Sequence, residues 1–283
     1  MICFPPGYRF NPANSGSSAS FAALIGEKNL EDFQEKMAER LGLEFFDVVT
    51  QTYPRLQDFQ LLSILAGLAA VLYKFAFDLR ILQSPGFREM AEPFTENQIG
   101  SSAMPFKKNP IKAEKINSLG RYLAQLPRIA WDNAAHSLLE RTLDDSANMR
   151  FVLPEAFLSS DELIETSLEI IGGWTVNKAG IEKNLADYGP FAATEKLLME
   201  LVKSGADRQQ MHEIIREHSL KAWIEVQAGN PNPLEGLLCN DHLIKSYLKE
   251  ADIRDALSDR SYLGDAEERA RNMAEKIIKT ISS

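Results

Sequence analysis

From Pro54 to Ser84 the apolar residues fall at Leu61, Leu65, Leu68, Leu72, Phe75, Leu79 and Leu82, alternating spacings of four and three. That heptad-like stripe predicts one long helix lying nearly parallel to its neighbours. Leu62, Ile64, Ala66, Ala69, Ala70, Val71 and Phe77 make the remaining faces apolar as well. A helix apolar on nearly every side is buried on nearly every side, which in a chain of this size points to subunits sharing a helical core. The helix is expected to begin near Pro54 and end at Ser84-Pro85-Gly86. A second stripe, Ile116, Leu119, Leu123 and Leu126, predicts another helix that Pro127 ends or kinks. Ser159-Ser160-Asp161-Glu162 reads as the start of a third, running to Ile171 and stopped by Gly172-Gly173.

The Gly-Gly-Trp-Thr stretch after Ile171 is a candidate boundary, with a smaller helical domain beyond it. Its expected elements are Thr194–Lys203 stopped by Gly205, Arg208–Gln227 stopped by Gly229, a loop at Asn230-Pro231-Asn232-Pro233, and an amphipathic helix Ala266–Thr280. No period-two strand, repeat or low-complexity tract stands out. The expected class is all-α: a long-helix bundle over residues 15–175, then a small helical C-terminal domain over residues 176–283. Residues 1–14, with Pro5-Pro6-Gly7, read as an irregular leader.

A chain of 283 residues with 45% apolar content can bury a sizeable core in one or two domains. A net charge of −9 argues against nucleic acid as a partner. Cys3 and Cys239 lack metal-ligand or redox spacing, so neither a metal nor another cofactor is expected, and a reducing cytoplasm is the default location. No basic stretch followed by an apolar one opens the chain, and the apolar run Leu61–Tyr73 is too short to span a bilayer, so no membrane partner is expected.

One segment carries local chemistry: Gly100-Ser101-Ser102-Ala103-Met104-Pro105-Phe106-Lys107-Lys108-Asn109-Pro110. Asn109 suits an N-cap and Pro110 a first helical residue, so a helix start with free N–H groups should face the loop and attract anions. Lys107 and Lys108 add charge. Ser101 and Ser102 offer hydroxyls that donate to carboxylates or, once deprotonated, abstract a proton. A neutral serine is a very weak base, so loop N–H groups and a nearby ammonium would be needed to stabilise the alkoxide. The alternative from composition alone is a solvated polar loop capping a helix. A second segment, Arg141 to Arg150, places two arginines, a Ser and a Thr around Asp144-Asp145. It could bind a phosphate while the acids fix the arginines, or be a surface salt-bridge cluster.

The loop resembles the signature of the fumarase/aspartase superfamily, Gly-Ser-Ser-x-Met-Pro-x-Lys-x-Asn-Pro with a Glu a few residues on. Gly100, Ser101, Ser102, Met104, Pro105, Lys107, Asn109, Pro110 and Glu114 match every fixed position. Within the superfamily the chain is most similar to the adenylosuccinate lyase branch, through Glu140-Arg141-Thr142-Leu143-Asp144-Asp145-Ser146-Ala147-Asn148, Gln51-Thr52-Tyr53-Pro54 and Pro190-Phe191-Ala192-Ala193-Thr194-Glu195. The resemblance runs from about Gly16 nearly to the C-terminus. It implies a homotetramer on a central bundle, of which residues 15–175 supply part, with each active site assembled from several subunits.

The resemblance further implies β-elimination of fumarate from small-molecule substrates, adenylosuccinate (giving AMP) and SAICAR (giving AICAR). It implies Ser101 as the base, with Ser102, Lys107 and Asn109 on the succinyl carboxylates and Met104 in the substrate loop. Glu114 would orient Lys107 or a substrate-facing histidine, unless it only favours the helix dipole. Arg141, Ser146 and Arg150 stand where the family contacts the nucleotide phosphate. Lys115 replaces an arginine that serves the nucleotide, keeping charge but losing the bidentate fork. Ser18 replaces a substrate-contacting glutamine. The family's proton-donating histidine and a second histidine lie upstream of the region matched, and His136, His212, His218 and His242 have a different context. The expectation is a C-terminal part of such a lyase, needing an N-terminal fragment as partner for activity. Two alternatives stay open: another fumarate-releasing lyase of the superfamily, such as an argininosuccinate lyase or carboxymuconate cycloisomerase, and a non-catalytic helical remnant.

Overall fold

Residues 9–10, 17–94, 108–258 and 264–282 are described by the computed structural model. Ser101, Ser102, Met104 and Lys107 lie outside the described residues. The chain divides into two compact units, one from the elements up to Ser84 and from Met90 to Thr175, the other from Pro85–Glu89 and from Val176 onward.

The first unit contains α1 (Ala19–Ile25), α2 (Leu30–Leu41), α3 (Leu56–Gln83), α4 (Ile111–Leu123), α5 (Leu126–Ala135) and α6 (Asp145–Gly173). A short parallel ladder pairs β1 (Arg9–Phe10) with β2 (Glu44–Phe45), Arg9 opposite Glu44. Helix α3 is the hub, packing on α4, α5 and α6. It spans the expected range and ends where Ser84, extended before Pro85, leaves the helix.

Its buried line is Leu62, Ala69 and Ala76, flanked by Leu61 and Leu79. The predicted stripe is therefore displaced: Leu65, Leu72 and Phe75 are only partly buried at the edge of this core. Small residues hold the centre because α4 comes close there. A Cβ on Gly120 would lie 3.2 Å from the Tyr73 ring and 3.6 Å from the Ala69 carbonyl. Ile64, Val71, Phe77 and Ile81 on α3 stay exposed. The chain by itself covers one side of a helix that is apolar all round.

The 28 residues of α3 make it long and apolar enough, by length and composition alone, to cross a bilayer. This corrects the expectation drawn from Leu61–Tyr73, which measured only the uninterrupted run. Two polar side chains of α3 are nevertheless committed within the unit. Gln57 accepts from the Arg9 N–H (2.9 Å) and donates to its carbonyl (2.8 Å), and Arg80 donates to Asn117 Oδ1 (2.9 Å).

Pro127 falls in the first turn of α5, where its missing N–H is no loss, and the chain breaks between Leu123 and Leu126. Helix α6 differs more from expectation. It starts at Asp145, not Ser159, and runs through Pro154. Ser160 is buried and donates to the Ala156 carbonyl (2.7 Å), as Ser167 does to Leu163 (2.7 Å). The Ser160 hydroxyl, read as part of a helix start, bonds back onto the preceding turn instead.

The second unit contains α7 (Lys178–Lys203), α8 (Arg208–Gln227), α9 (Leu234–Asn240), α10 (His242–Tyr247), α11 (Glu250–Leu257) and α12 (Ala266–Ser282). Its core is Leu197, Leu201, Met211, Leu234, Leu238 and Ile253, all fully buried. Helix α7 begins sixteen residues before the expected Thr194 and carries Pro190 inside it. Helix α8 has the expected bounds, with Asp207 accepting from the Gln210 N–H (2.8 Å) and Gly205 (φ +90°) and Gly229 (φ +83°) flanking it. Asn177 and Asn184 of this unit bind the carbonyls of Arg88 (2.9 Å) and Phe87 (3.0 Å). Helix α12 is exposed along its length.

Candidate functional site

The helix start behind the signature segment is built differently from its local sequence. Pro110 occupies the capping position of α4 and its helical residues begin at Ile111, so Asn109 is not the cap. The cap comes from Glu92, whose Oε1 accepts from the Lys112 N–H (3.1 Å) and Oε2 from the Ala113 N–H (2.9 Å). The expected anion site at this helix start is thus filled by the chain's own carboxylate. Glu92 is 3% exposed, and burial pushes its carboxyl above the usual range despite those two amides. Glu114, one residue further along α4, lies 3.7 Å from Arg80. Lys115 pairs with Glu162 and Lys112 with Glu169, both on α6.

At the start of α6 the second predicted cluster is also rearranged. Asp145 is 3% exposed and takes Arg55 (2.7 Å), while Asp144 accepts from the Thr142 hydroxyl (2.8 Å). The acids therefore do not fix Arg141 or Arg150, which are exposed, with Ser146 half-buried between them. Ser146 and Arg150 stand four apart on one helix face. Arg55 also lies over the Tyr53 ring (4.6 Å), and the Tyr53 hydroxyl donates to both oxygens of buried Asp58 (2.9 and 3.1 Å). Burial pushes the Asp58 carboxyl up, the hydroxyl opposing it. Beside this cluster opens a cleft of about 510 Å³ lined by Thr52, Tyr53, Arg55, Trp131, Ser137 and Leu139 among others.

Two family profiles match the chain: one described as "Lyase" over residues 9–122 and one described as "Adenylosuccinate lyase C-terminus" over residues 190–273. The adenylosuccinate lyase of Saccharomyces cerevisiae is 37% identical over 276 residues, covering 96% of this chain and 56% of the relative. That of Pyrococcus horikoshii is 33% identical over 262 residues, covering 92% and 55%. Over most of its own length the chain is similar to adenylosuccinate lyases. It spans about half the length of the curated relatives that it matches. Among solved structures, a fumarate lyase from Mesorhizobium sp. BNC1 superposes with a TM-score of 0.75 at 22% identity, covering 92% of this chain and 55% of that one. A 3-carboxy-cis,cis-muconate lactonizing enzyme from Pseudomonas putida gives 0.74 at 23%, covering 89% and 54%. These two likenesses show the shared all-α fold.

The geometry separates the start of α4 from the start of α6. Lys112 meets Glu169 and Lys115 meets Glu162, so α4 and α6 run antiparallel. The start of α4, next to the signature segment, therefore lies at the opposite end of the bundle from Ser146. Counting along α6 at 1.5 Å per residue, Ser146 is about 24 Å from Glu162 and about 35 Å from Glu169. The histidines stand elsewhere: His136 bonds the Asp132 carbonyl (2.8 Å) just after α5, and His212, His218 and His242 are in the second unit. His218 is committed to Asp241 (3.0 Å). Arg80, Asn117, Gln83 and Glu92 have no local sequence signal, because their partners lie 9 to 44 residues away in the chain.

Proposed function

We propose that this chain supplies part of an enzyme that eliminates fumarate from adenylosuccinate and from SAICAR, with active sites shared among copies. The observation that carries the reading is the end-to-end separation just described. One copy brings Asn109 and Glu114 to one end of the bundle and Ser146 and Arg150 to the other, too far apart for one small substrate. An antiparallel second copy would set the complementary ends side by side, and the exposed apolar face of α3, with Ile64, Val71 and Phe77, gives it a surface to bury.

In this reading Ser101 removes the proton beside the succinyl carboxylate. Ser102, Lys107 and Asn109 bind the carboxylates, with Met104 in the same segment. Arg141, Ser146 and Arg150 hold the nucleotide phosphate, and Lys115 assists them from another copy. Glu114, close to Arg80, sets the charge balance at the loop end. The proton donor comes from the part of the relatives that this chain does not span, so turnover needs a fragment that supplies it.

The test is fumarate release from adenylosuccinate by the chain alone and mixed with that fragment. Turnover in the mixture, abolished by Ser101→Ala, is expected. A folded mixture with no turnover would refute the catalytic reading, and ordinary turnover by the chain alone would refute the need for a fragment.

A further inference from the structure

The segment from residue 95 to 107 carries Ser101, Ser102 and Lys107, and the residues on both sides of it are tied together by side chains the family signature does not include. The side-chain amide of Gln83, the last residue of α3, bridges both flanks. Its Oε1 accepts from the Glu92 N–H (3.0 Å) and its Nε2 donates to the Lys108 carbonyl (3.1 Å). The Glu92 carboxylate reaches across to the Lys112 and Ala113 N–H groups (3.1 and 2.9 Å). Lys108 Nζ lies 5.2 Å from the centre of the Phe94 ring, a third link between the flanks.

Together these contacts form a clasp. The amides at the second and third positions of a helix ordinarily have no intrahelical partner. Here both are satisfied from twenty residues upstream by a buried carboxylate. Gln83 belongs to α3, the hub of the bundle, so the clasp refers the ends of the segment to the rigid core. An amide is suited to this, because it presents one acceptor and one donor at once.

We propose that Gln83 and Glu92 are positioning residues, which fix the base of the signature segment on the helix bundle and so set where its serines and lysine are presented. This part rests on the proposed lyase reading only where turnover is measured. Two measurements on the full chain test it. In the first, hydrogen exchange of the Lys112 and Ala113 amides is compared in wild type, Glu92→Leu and Gln83→Leu. Glu92→Leu is expected to speed exchange of these two amides about 2- to 30-fold, the range set by losing a helix cap, while Asn117 and Leu123 hold their protection. Unchanged exchange at Lys112 and Ala113 overturns the clasp. If Glu92→Leu does not fold, Gln83→Leu, which leaves the cap, decides alone through the second measurement.

That second measurement is turnover of the chain completed with the fragment supplying the proton donor. Gln83→Leu is expected to lower kcat about tenfold or more with KM within twofold, since a misplacement of about 1 Å is enough to slow a reaction sharply. Gln83→Glu, which keeps the acceptor for the Glu92 N–H, should recover part of the rate. Wild-type kcat in Gln83→Leu overturns the positioning role. Absence of turnover in the wild-type mixture, with the exchange result as expected, refutes the lyase reading and leaves the clasp standing.

Discussion

Replacing Arg55 by Met should be among the most damaging single changes in the first unit. The Arg55 side chain is 13% exposed and that of Asp145 is 4% exposed, with 2.7 Å between their charged groups. Asp145 Oδ1 is buried with no hydrogen-bond partner, so the arginine is what holds this carboxylate in the interior. Met fills much of the arginine's volume but leaves the carboxylate uncompensated, beside a second buried acid at Asp58. Breaking one side of a buried pair costs about 3–5 kcal/mol. For a unit of this size, with about 2–4 °C per kcal/mol, the melting temperature should fall by about 6–20 °C. The assay is urea unfolding followed by tryptophan fluorescence, with Arg55→Met, Asp145→Leu and the double variant compared as a cycle. The double variant should recover most of the loss, because the penalty belongs to the stranded charge. A loss under about 1 kcal/mol in Arg55→Met, a value typical of exposed pairs, would refute the reasoning. So would a double variant no better than Arg55→Met.

Three other outcomes are expected. A Cβ on Gly180 would sit 2.2 Å from the Arg88 carbonyl oxygen, a backbone atom that cannot step aside, so Gly180→Ala should destabilise the second unit by about 1–3 kcal/mol in chemical unfolding. Asp58 titrates above its ordinary 3.8 because of burial, so its contribution to stability is full below that value and is lost as pH rises through its folded-state titration. Asp58→Asn, which still accepts from Tyr53, should flatten that part of the stability–pH curve; an unchanged slope would count against the assignment. If sites are shared between copies, mixing Ser101→Ala with Arg141→Ala chains, each inactive alone in the completed enzyme, should restore about a quarter of wild-type turnover by random pairing. No recovery in a mixed oligomer would place both residues in the same copy's site.

The local rules of the chain were legible where they depend on neighbours in sequence. Helix α3 and its stop at Ser84-Pro85, the break at Pro127, and α8 between Gly205 and Gly229 each follow from periodicity and from residues that cannot continue a helix. The start of α6 was not legible, because Ser160 carries the same hydroxyl whether it caps a helix or bonds back within one, and only burial against α3 and α4 selects the second. The chemistry divides in the same way. Which residue types the signature and the Arg141–Arg150 segment contain is written in the sequence. Which carboxylate caps α4, which arginine neutralises Asp145, and that the start of α4 and Ser146 lie at opposite ends of one bundle were decided by tertiary structure. Those outcomes depend on the antiparallel register of α4 and α6 and on which polar groups packing leaves without water, and a buried group takes whatever partner the fold brings within reach.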